Sequence, residues 1–427
     1  MTKKRSHNIE PSTRAAPSVL LTGCTGFVGQ ELLGQLLTDT SAHVSCIVRA
    51  ADQRDARRRV SSTVDRLFGD GAWQEVRPRV DAIRGDVTAP SLGLERSTYE
   101  RLIARTTHLL HGAASVQFDL SLRAARSINV GGTAGAAEFA RTAYRRGRLQ
   151  RFAYVSTAFV GGRHPGVFSE HDLDVGQRFR NTYEQSKFEA ELVVRRAMQH
   201  APITVVRPSI VIGDSRSGAT SAFNVIYWPL RLYADGLLRL APTTPDLPVD
   251  LVPVDFVARG ALCALFDGDN DTTYALAAGP EATDARTIAA TAAEVFDVAP
   301  PRFSSRLTGQ ALAPLMWSLS HIGPWQRLSS TLLQFHPYFQ YGSRFDTYNA
   351  DGLLLPRGVR APLARHLLQP ALDFARVTDF GRDREAVARS EHRLSRARRR
   401  ALRHRRRAGA RSSLNAADPP DRRMLGR

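Results

Sequence analysis

Apolar positions along this chain fall into short runs that alternate with helical patterns. Val19-Leu20-Leu21, after Pro17, reads as a buried strand, and Phe27-Val28, Leu32-Leu33 and Leu36-Leu37 then recur at helical spacing. Further strand-like runs lie at His43–Val48, Val80–Val87, Thr107–Ala114 and Phe152–Thr157, and a helical pattern opens within Asn181–Leu192. Strands separated by helices predict an α/β fold with a doubly wound parallel sheet. Beyond about residue 280 the pattern changes to a smaller, mostly helical lobe.

The turn after the first strand carries G-x-x-G-x-x-G, as Gly23, Gly26 and Gly29. Glycine permits a tight turn and close backbone approach to a pyrophosphate, and the following helix offers free N–H groups and its dipole. A Gly-rich turn without a ligand is the bland alternative. Thr25, Phe27 and Val28 belong to the same loop and first helical turn. The second strand ends in Arg49, where an acid would accept a bond from a ribose 2′-hydroxyl. A guanidinium there instead suits a 2′-phosphate, so NADPH is expected over NADH. Arg57–Arg59 read as a solvated helix face.

Asp86 and Val87, ending the third strand, are expected at the adenine, and Ala113 and Ala114 let the chain pass close to the cofactor. His108 and His111 stand three apart in a strand and point to opposite faces, so no metal site is expected.

The fifth strand delivers Ser156 and Thr157 at its carboxyl end, where open α/β sheets bind ligands. Tyr183 and Lys187 stand at i and i+4 and share one helix face, behind an N-cap at Asn181 or Thr182. An ammonium beside the phenol would lower a pKa that ordinarily lies near 10 and would also hold the nicotinamide ribose. The Thr157 hydroxyl would hold the substrate oxygen where negative charge develops. Tyr-x-x-x-Lys alone is often a chance match on a surface helix; its lag behind Ser156-Thr157 argues for chemistry.

Several motifs together resemble one family, the extended short-chain dehydrogenases of the thioester-reductase and fatty acyl-CoA reductase (male-sterility-like) type. They are TGCTGFVG at Thr22–Gly29, VRA at Val48–Ala50, GDV at Gly85–Val87, HGAASVQF at His111–Phe118 and INVGGT at Ile128–Thr133. YVSTAFVGG at Tyr154–Gly162, YEQSK at Tyr183–Lys187, RPSIVIGDSRSG at Arg207–Gly218 and VDLVPVDFVA at Val249–Ala258 follow in order. The resemblance implies a Rossmann-type nucleotide domain, a Thr157–Tyr183–Lys187 triad, Arg49 at the 2′-phosphate and Pro208, Ser209 and Ile210 on the nicotinamide side. It implies a fatty acyl-CoA or carrier-bound acyl thioester as substrate, reduced to the aldehyde or onward to the alcohol. Cys24 stands where such loops usually have alanine. A hydroxysteroid dehydrogenase, a sugar-nucleotide epimerase or dehydratase, and a non-catalytic NADP sensor are the rival readings.

The 427 residues divide on this reading into a disordered basic terminus (1–16), a nucleotide domain (17–280) with an interleaved substrate segment (213–250), a substrate lobe (281–385) and a flexible Arg-rich tail (386–427). Substrate lining is expected from 221–240, rich in apolar and aromatic residues, and from about 282 to 374, including 312–319 and 328–339. Three cysteines suggest a reducing, cytoplasmic setting, and no apolar run is long enough to span a membrane. Of the net charge of +18, most belongs to the ends: Arg389–Arg411 alone holds eleven arginines against one glutamate. Such a block could touch an anionic membrane; nucleic acid is the weaker reading, and a solvated extension is the bland one.

Overall fold

The computed structural model describes residues 16–223, 225–304, 338 and 341–415, with side chains described as far as His404. The basic segment 1–16 and the stretches 312–319 and 328–339 lie outside the described residues, apart from Ala16 and Tyr338.

Seven parallel strands form the central sheet: β1 (Ser18–Thr22), β2 (His43–Val48), β3 (Val80–Arg84), β4 (His108–His111), β5 (Arg151–Val155), β6 (Ile203–Pro208) and β7 (Thr273–Leu276). Their order is β3-β2-β1-β4-β5-β6-β7, so the winding reverses between β1 and β4. Ligands bind open α/β sheets outside the carboxyl ends of the strands at such a reversal. The sheet is buried on both faces, which is why its strands read as continuous apolar runs rather than alternating ones. On one face lie α1 (Phe27–Asp39), α2 (Gln53–Phe68) and a later helix, Val254–Asp267; on the other lie α3 (Arg96–Arg105), α4 (Gly132–Arg145) and α5 (Thr182–Ala197).

A third apolar core joins α6 (Tyr227–Ala234), through Tyr227, Leu230 and Tyr233, to Ile288 and Ala292 of α8 (Ala285–Phe296) and Leu367, Leu368 and Leu372 of α9 (Ala364–Val377), with Val254–Asp267 counted as α7. Segments some 140 residues apart thus bury one another's apolar faces. Not all of the late chain joins this lobe. Ala350, Leu353 and Leu354 pack into the core shared by α1 and α2, beside α7.

The Arg-rich segment departs from expectation. Instead of a flexible tail, Arg384–Asn415 is a single helix, α10, lying against α1 and α2. Leu402, 1% exposed, enters the core, and Ser395 is buried two turns earlier on the same side. Arg398 pairs with buried Glu31 of α1, and Arg399 donates to Glu75 at 2.5 Å, with Arg403 adding a third guanidinium at 3.0 Å. Arg403 and Arg399 pull the Glu75 carboxyl down to about 2. The composition signal missed this because the acids that anchor the helix lie more than 300 residues away in sequence. Arg389, Arg393, Arg396 and Arg400 remain exposed on the outer side.

Truncation after Arg389 is accordingly expected to destabilise the protein by about 2 kcal/mol or more, chiefly through loss of the buried Leu402 and exposure of the surface beneath it. Denaturant melts of full-length and truncated chains check this; coincident midpoints would show that the docking contributes nothing.

Candidate active site

At the reversal point, β1 runs into the glycine turn. Gly23 adopts φ +81°, and a Cβ there would lie 2.7 Å from the Ala113 backbone nitrogen, so only glycine fits this close approach to the end of β4. Gly29 is tighter still: a Cβ would lie 1.9 Å from the Gly23 carbonyl oxygen. Helix α1 begins at Phe27 behind Gly26, with no side-chain cap and no acid in its first turn. Its leading N–H groups therefore have no capping side chain, and the cradle fits the pyrophosphate of a dinucleotide. Thr25, Phe27 and Val28 are half-buried around it.

The other sequence-named positions ring the same edge. Arg49 follows β2 directly and its side chain is exposed, while its carbonyl receives the Arg59 guanidinium. Asp86 follows the end of β3 and accepts from the Thr88 amide (2.9 Å) and hydroxyl (2.8 Å). Val87 lies against Gly132 at the start of α4. Ala113 and Ala114 continue β4. Pro208 ends β6, the Ser209 hydroxyl donates to buried Asp250 at 2.5 Å, and Ile210 opens a short strand paired with Leu251–Pro253.

Thr157, buried just past β5, accepts from the Phe159 amide (3.3 Å) and donates to the Pro208 carbonyl (3.4 Å), so its hydroxyl bridges the ends of β5 and β6. Asn181 caps α5, accepting from the Glu184 amide at 2.9 Å. That fixes Tyr183 in the first turn, where its buried phenol neighbours the Thr157 hydroxyl and its ring lies 5.6 Å from that of Phe118. Lys187, one turn on, is buried and donates at 2.8 Å to both the Tyr154 hydroxyl and the Val155 carbonyl.

The electrostatics differ from the sequence-based expectation. The Lys187 ammonium is bonded to β5 and not to the Tyr183 phenol. Burial, opposed by the neighbouring Thr157 hydroxyl, pushes the phenol up to about 12 where a lowered value was expected. The same burial, opposed by Glu191, brings Lys187 down to about 7. Tyr183 therefore stays protonated across the neutral range, which is the state a proton donor needs. His111 is held neutral, pushed down to about 3 by burial and by Lys187, and its Nδ1 lies 2.8 Å from the Thr22 hydroxyl.

Three further groups were not singled out from sequence. Asn129 sits on a π-turn, Ser127–Gly131, of the kind that recurs at functional sites. It donates to the Ser115 carbonyl (3.1 Å) and the Ser186 hydroxyl (2.9 Å), tying the loop after β4 to α5. The INVGGT motif contained it, but its role needs the fold. Tyr154 holds Lys187. Tyr338 donates to Glu184 at 2.8 Å and accepts from Asn181 at 2.9 Å, while its ring lies 5.8 Å from those of Phe118 and Phe159.

Phe159, Tyr338 and Ile210 also line an apolar cavity of about 160 Å³, together with Leu230, Tyr233, Ile288 and Ala292. From the 221–240 segment, Val225, Ile226, Pro229, Leu230, Tyr233 and Leu238 line this cavity.

A sheet of this winding, a glycine cradle at its reversal and a Thr–Tyr–Lys cluster beside it define an extended dinucleotide-binding oxidoreductase fold. The chain belongs to the male sterility protein family, whose model matches residues 21–261. It is 30% identical over 285 residues to the fatty acyl-CoA reductase wat of Drosophila melanogaster, covering 58% of this chain and 54% of that protein. It is 32% identical over 271 residues to the isonitrile lipopeptide synthase of Mycobacterium tuberculosis, 57% of this chain but 10% of that one. This chain therefore spans about half or less of the curated relatives' length. Among solved structures, the terminal R domain of the myxalamid PKS-NRPS pathway superposes with a TM-score of 0.70 at 24% identity, covering 87% of this chain and 92% of that one. A Bacillus cereus UDP-glucuronic acid 4-epimerase shares the fold at 0.59 and 17%, covering 85% and 98%.

Gly29→Ala is expected to destabilise the protein by about 1–3 kcal/mol through overpacking and to abolish dinucleotide binding. Thermal melts and fluorescence titration with NADPH check both; wild-type affinity in this variant would remove the loop from the binding site.

Proposed function

We propose that this chain is an NADPH-dependent reductase of fatty acyl thioesters, acyl-CoA or carrier-bound. The observation that carries the reading is that Phe159 and Tyr338, neighbours of the Thr157–Tyr183 pair, line an apolar cavity. A sugar nucleotide would require polar partners there; a cavity walled by Leu230, Ile288 and Ala292 suits a hydrocarbon chain, with about 0.8 kcal/mol for each buried methylene. The names of relatives, a fatty acyl-CoA reductase and peptide-synthetase reductase domains, point the same way.

Gly23, Thr25, Gly26, Phe27, Val28 and Gly29 would hold the pyrophosphate, Arg49 the 2′-phosphate, Asp86 and Val87 the adenine side. Ala113, Ala114, Pro208, Ser209 and Ile210 would flank the nicotinamide half, with Lys187 at its ribose. NADPH, when bound, supplies the hydride that the thioester carbonyl carbon accepts. Thr157 and Tyr183 donate hydrogen bonds to the carbonyl oxygen as charge develops, in a buried setting where such bonds are strong. Loss of the thiol then leaves an aldehyde; a second reduction, with Tyr183 as proton donor, gives the alcohol. The outward arginines of α10 would favour a salt-sensitive contact with anionic lipid, where substrate and product partition.

Steady-state NADPH oxidation with palmitoyl-CoA and a panel of acyl-CoAs, fatty aldehydes and sterols tests the reading. Turnover of a ketone or sterol with none of any acyl-CoA would overturn it.

Tyr183→Phe is expected to lower the rate by about 100-fold or more while leaving NADPH affinity within about twofold, because the phenol acts only on the developing oxyanion. Lys187→Ala should weaken both. Single-turnover rates and binding titrations separate the two, and a Tyr183→Phe enzyme retaining more than about a tenth of the rate would end the proton-donor role. Arg49→Glu is expected to shift the NADPH/NADH preference by about 10- to 100-fold towards NADH, the worth of a charge-assisted pair. An unchanged ratio would move that role to Arg54 or its neighbours.

A further inference from the structure

Lys187 is one of three lysines among 59 basic Lys and Arg residues, and the other two are Lys3 and Lys4. Elsewhere in the body of the protein every fixed cation is arginine, which keeps its proton at all physiological pH values. The single cation that can lose its charge sits at the reductase centre. What surrounds it therefore decides how much charge the centre carries.

Helix α5 presents Tyr183, Lys187, Glu191 and Arg195 at successive i+4 positions, so the four share one face. Glu191 is fully buried and held from three sides. The Ser156 hydroxyl donates to it at 2.5 Å, Arg207 donates from Nε at 3.1 Å and from its terminal nitrogen at 2.6 Å, and Arg195 lies 3.7 Å away. Arg207, 1% exposed, is in turn satisfied by the Ser169 and Asp172 carbonyls at 3.2 and 2.6 Å. The column thus alternates in sign: ammonium, carboxylate, guanidinium. The remaining titratable groups facing Lys187 are His111 from β4, Tyr154 from β5 and Tyr183 on α5, all held neutral by burial. No catalytic step proposed above uses Glu191 or Arg207.

We infer that Glu191 is a positioning residue of this centre: locked by Arg207 and Ser156, its carboxylate sets the charge that Lys187 carries. Glu191 is the group that opposes the desolvation of Lys187; the Arg207 guanidinium, 2.6 Å from it, holds it ionised and, as the nearest opposite charge, offsets part of its field. The two residues therefore act on Lys187 with opposite signs. The role in turnover rests on the reading of Lys187 as the ribose-holding cation given above, but the electrostatic coupling does not.

The small number of lysines makes a direct test practical. Full-length protein labelled with carbon-13 at the lysine ε position gives signals from only three residues. The Lys187 signal, assigned by its loss in Lys187→Ala, is titrated in wild type and variants without cofactor. Glu191→Gln is expected to lower the Lys187 midpoint by about one pH unit, tenfold in its protonation constant, and Arg207→Gln to raise it by a similar amount. Glu191→Asp keeps the charge and should stay near wild type. Each single substitution leaves a buried charge less well matched, so Glu191→Gln/Arg207→Gln, which removes both, is included. Its midpoint should lie between those of the singles, and either single that folds can be tested against it. NADPH affinity followed across pH should track the same midpoints.

Midpoints that move in the same direction in both singles, or that do not move while stability falls, would reduce the pair to a structural role and overturn the inference. Opposed shifts in a protein that neither binds NADPH nor reduces acyl thioesters would uphold the coupling and defeat the functional reading instead. Binding and turnover in the wild type without opposed shifts would do the reverse.

Discussion

Arg207 reaches from β6 to Glu191 on α5 with both side chains buried, and their closest approach is 2.6 Å. Removing one partner of such a pair typically costs about 3–5 kcal/mol, because the other is left charged and unsolvated. More depends on it than stability. Helix α5 carries Tyr183 and Lys187, and β6 ends in Pro208, whose carbonyl receives the Thr157 hydroxyl. The ion pair is therefore the clamp that fixes two hydroxyls and an ammonium, from different elements, in one geometry. Its surroundings are satisfied as well: Ser156 fills a carboxylate position and three carbonyls receive the guanidinium.

The glycine turn and the Tyr–Lys spacing were legible because the forces that shape them are local. A positive φ at Gly23, a helix start at Phe27 and two side chains one turn apart depend on a few neighbouring residues. The same holds for the Asn181 cap. Partners across the fold were not legible. That Lys187 would bond to Tyr154 depends on how α5 settles over β5, and 33 residues separate the two. The direction of the Tyr183 shift was misjudged for the same reason: sequence shows the nearby lysine, but only packing shows how much water is lost. The carboxyl ends of β3 and β4 were read three residues too long, since regular pairing stops before Gly85 and Gly112.

The arginine-rich end shows what composition alone cannot resolve. Eleven arginines against one glutamate suggest a solvated chain, yet a helix needs only one inward stripe to dock. Ser395 and Leu402, seven residues apart, supply that stripe, and arginine stems cover apolar surface while their heads find acids on α1 and at Glu75. Part of the high positive charge is thus spoken for inside the fold.

The cavity wall and the chemistry share parts. Phe159 stands two residues after Thr157 on the short turn Ala158–Gly161, and its amide is the one the Thr157 hydroxyl caps. Tyr338 contacts both the Asn181 cap and Glu184, the neighbours of Tyr183, and also lines the cavity. A side chain that displaced Phe159 or Tyr338 would therefore press on the residues that orient Thr157 and Tyr183. Recognition of a chain in the cavity and alignment of the two hydroxyls are, by this construction, mechanically joined.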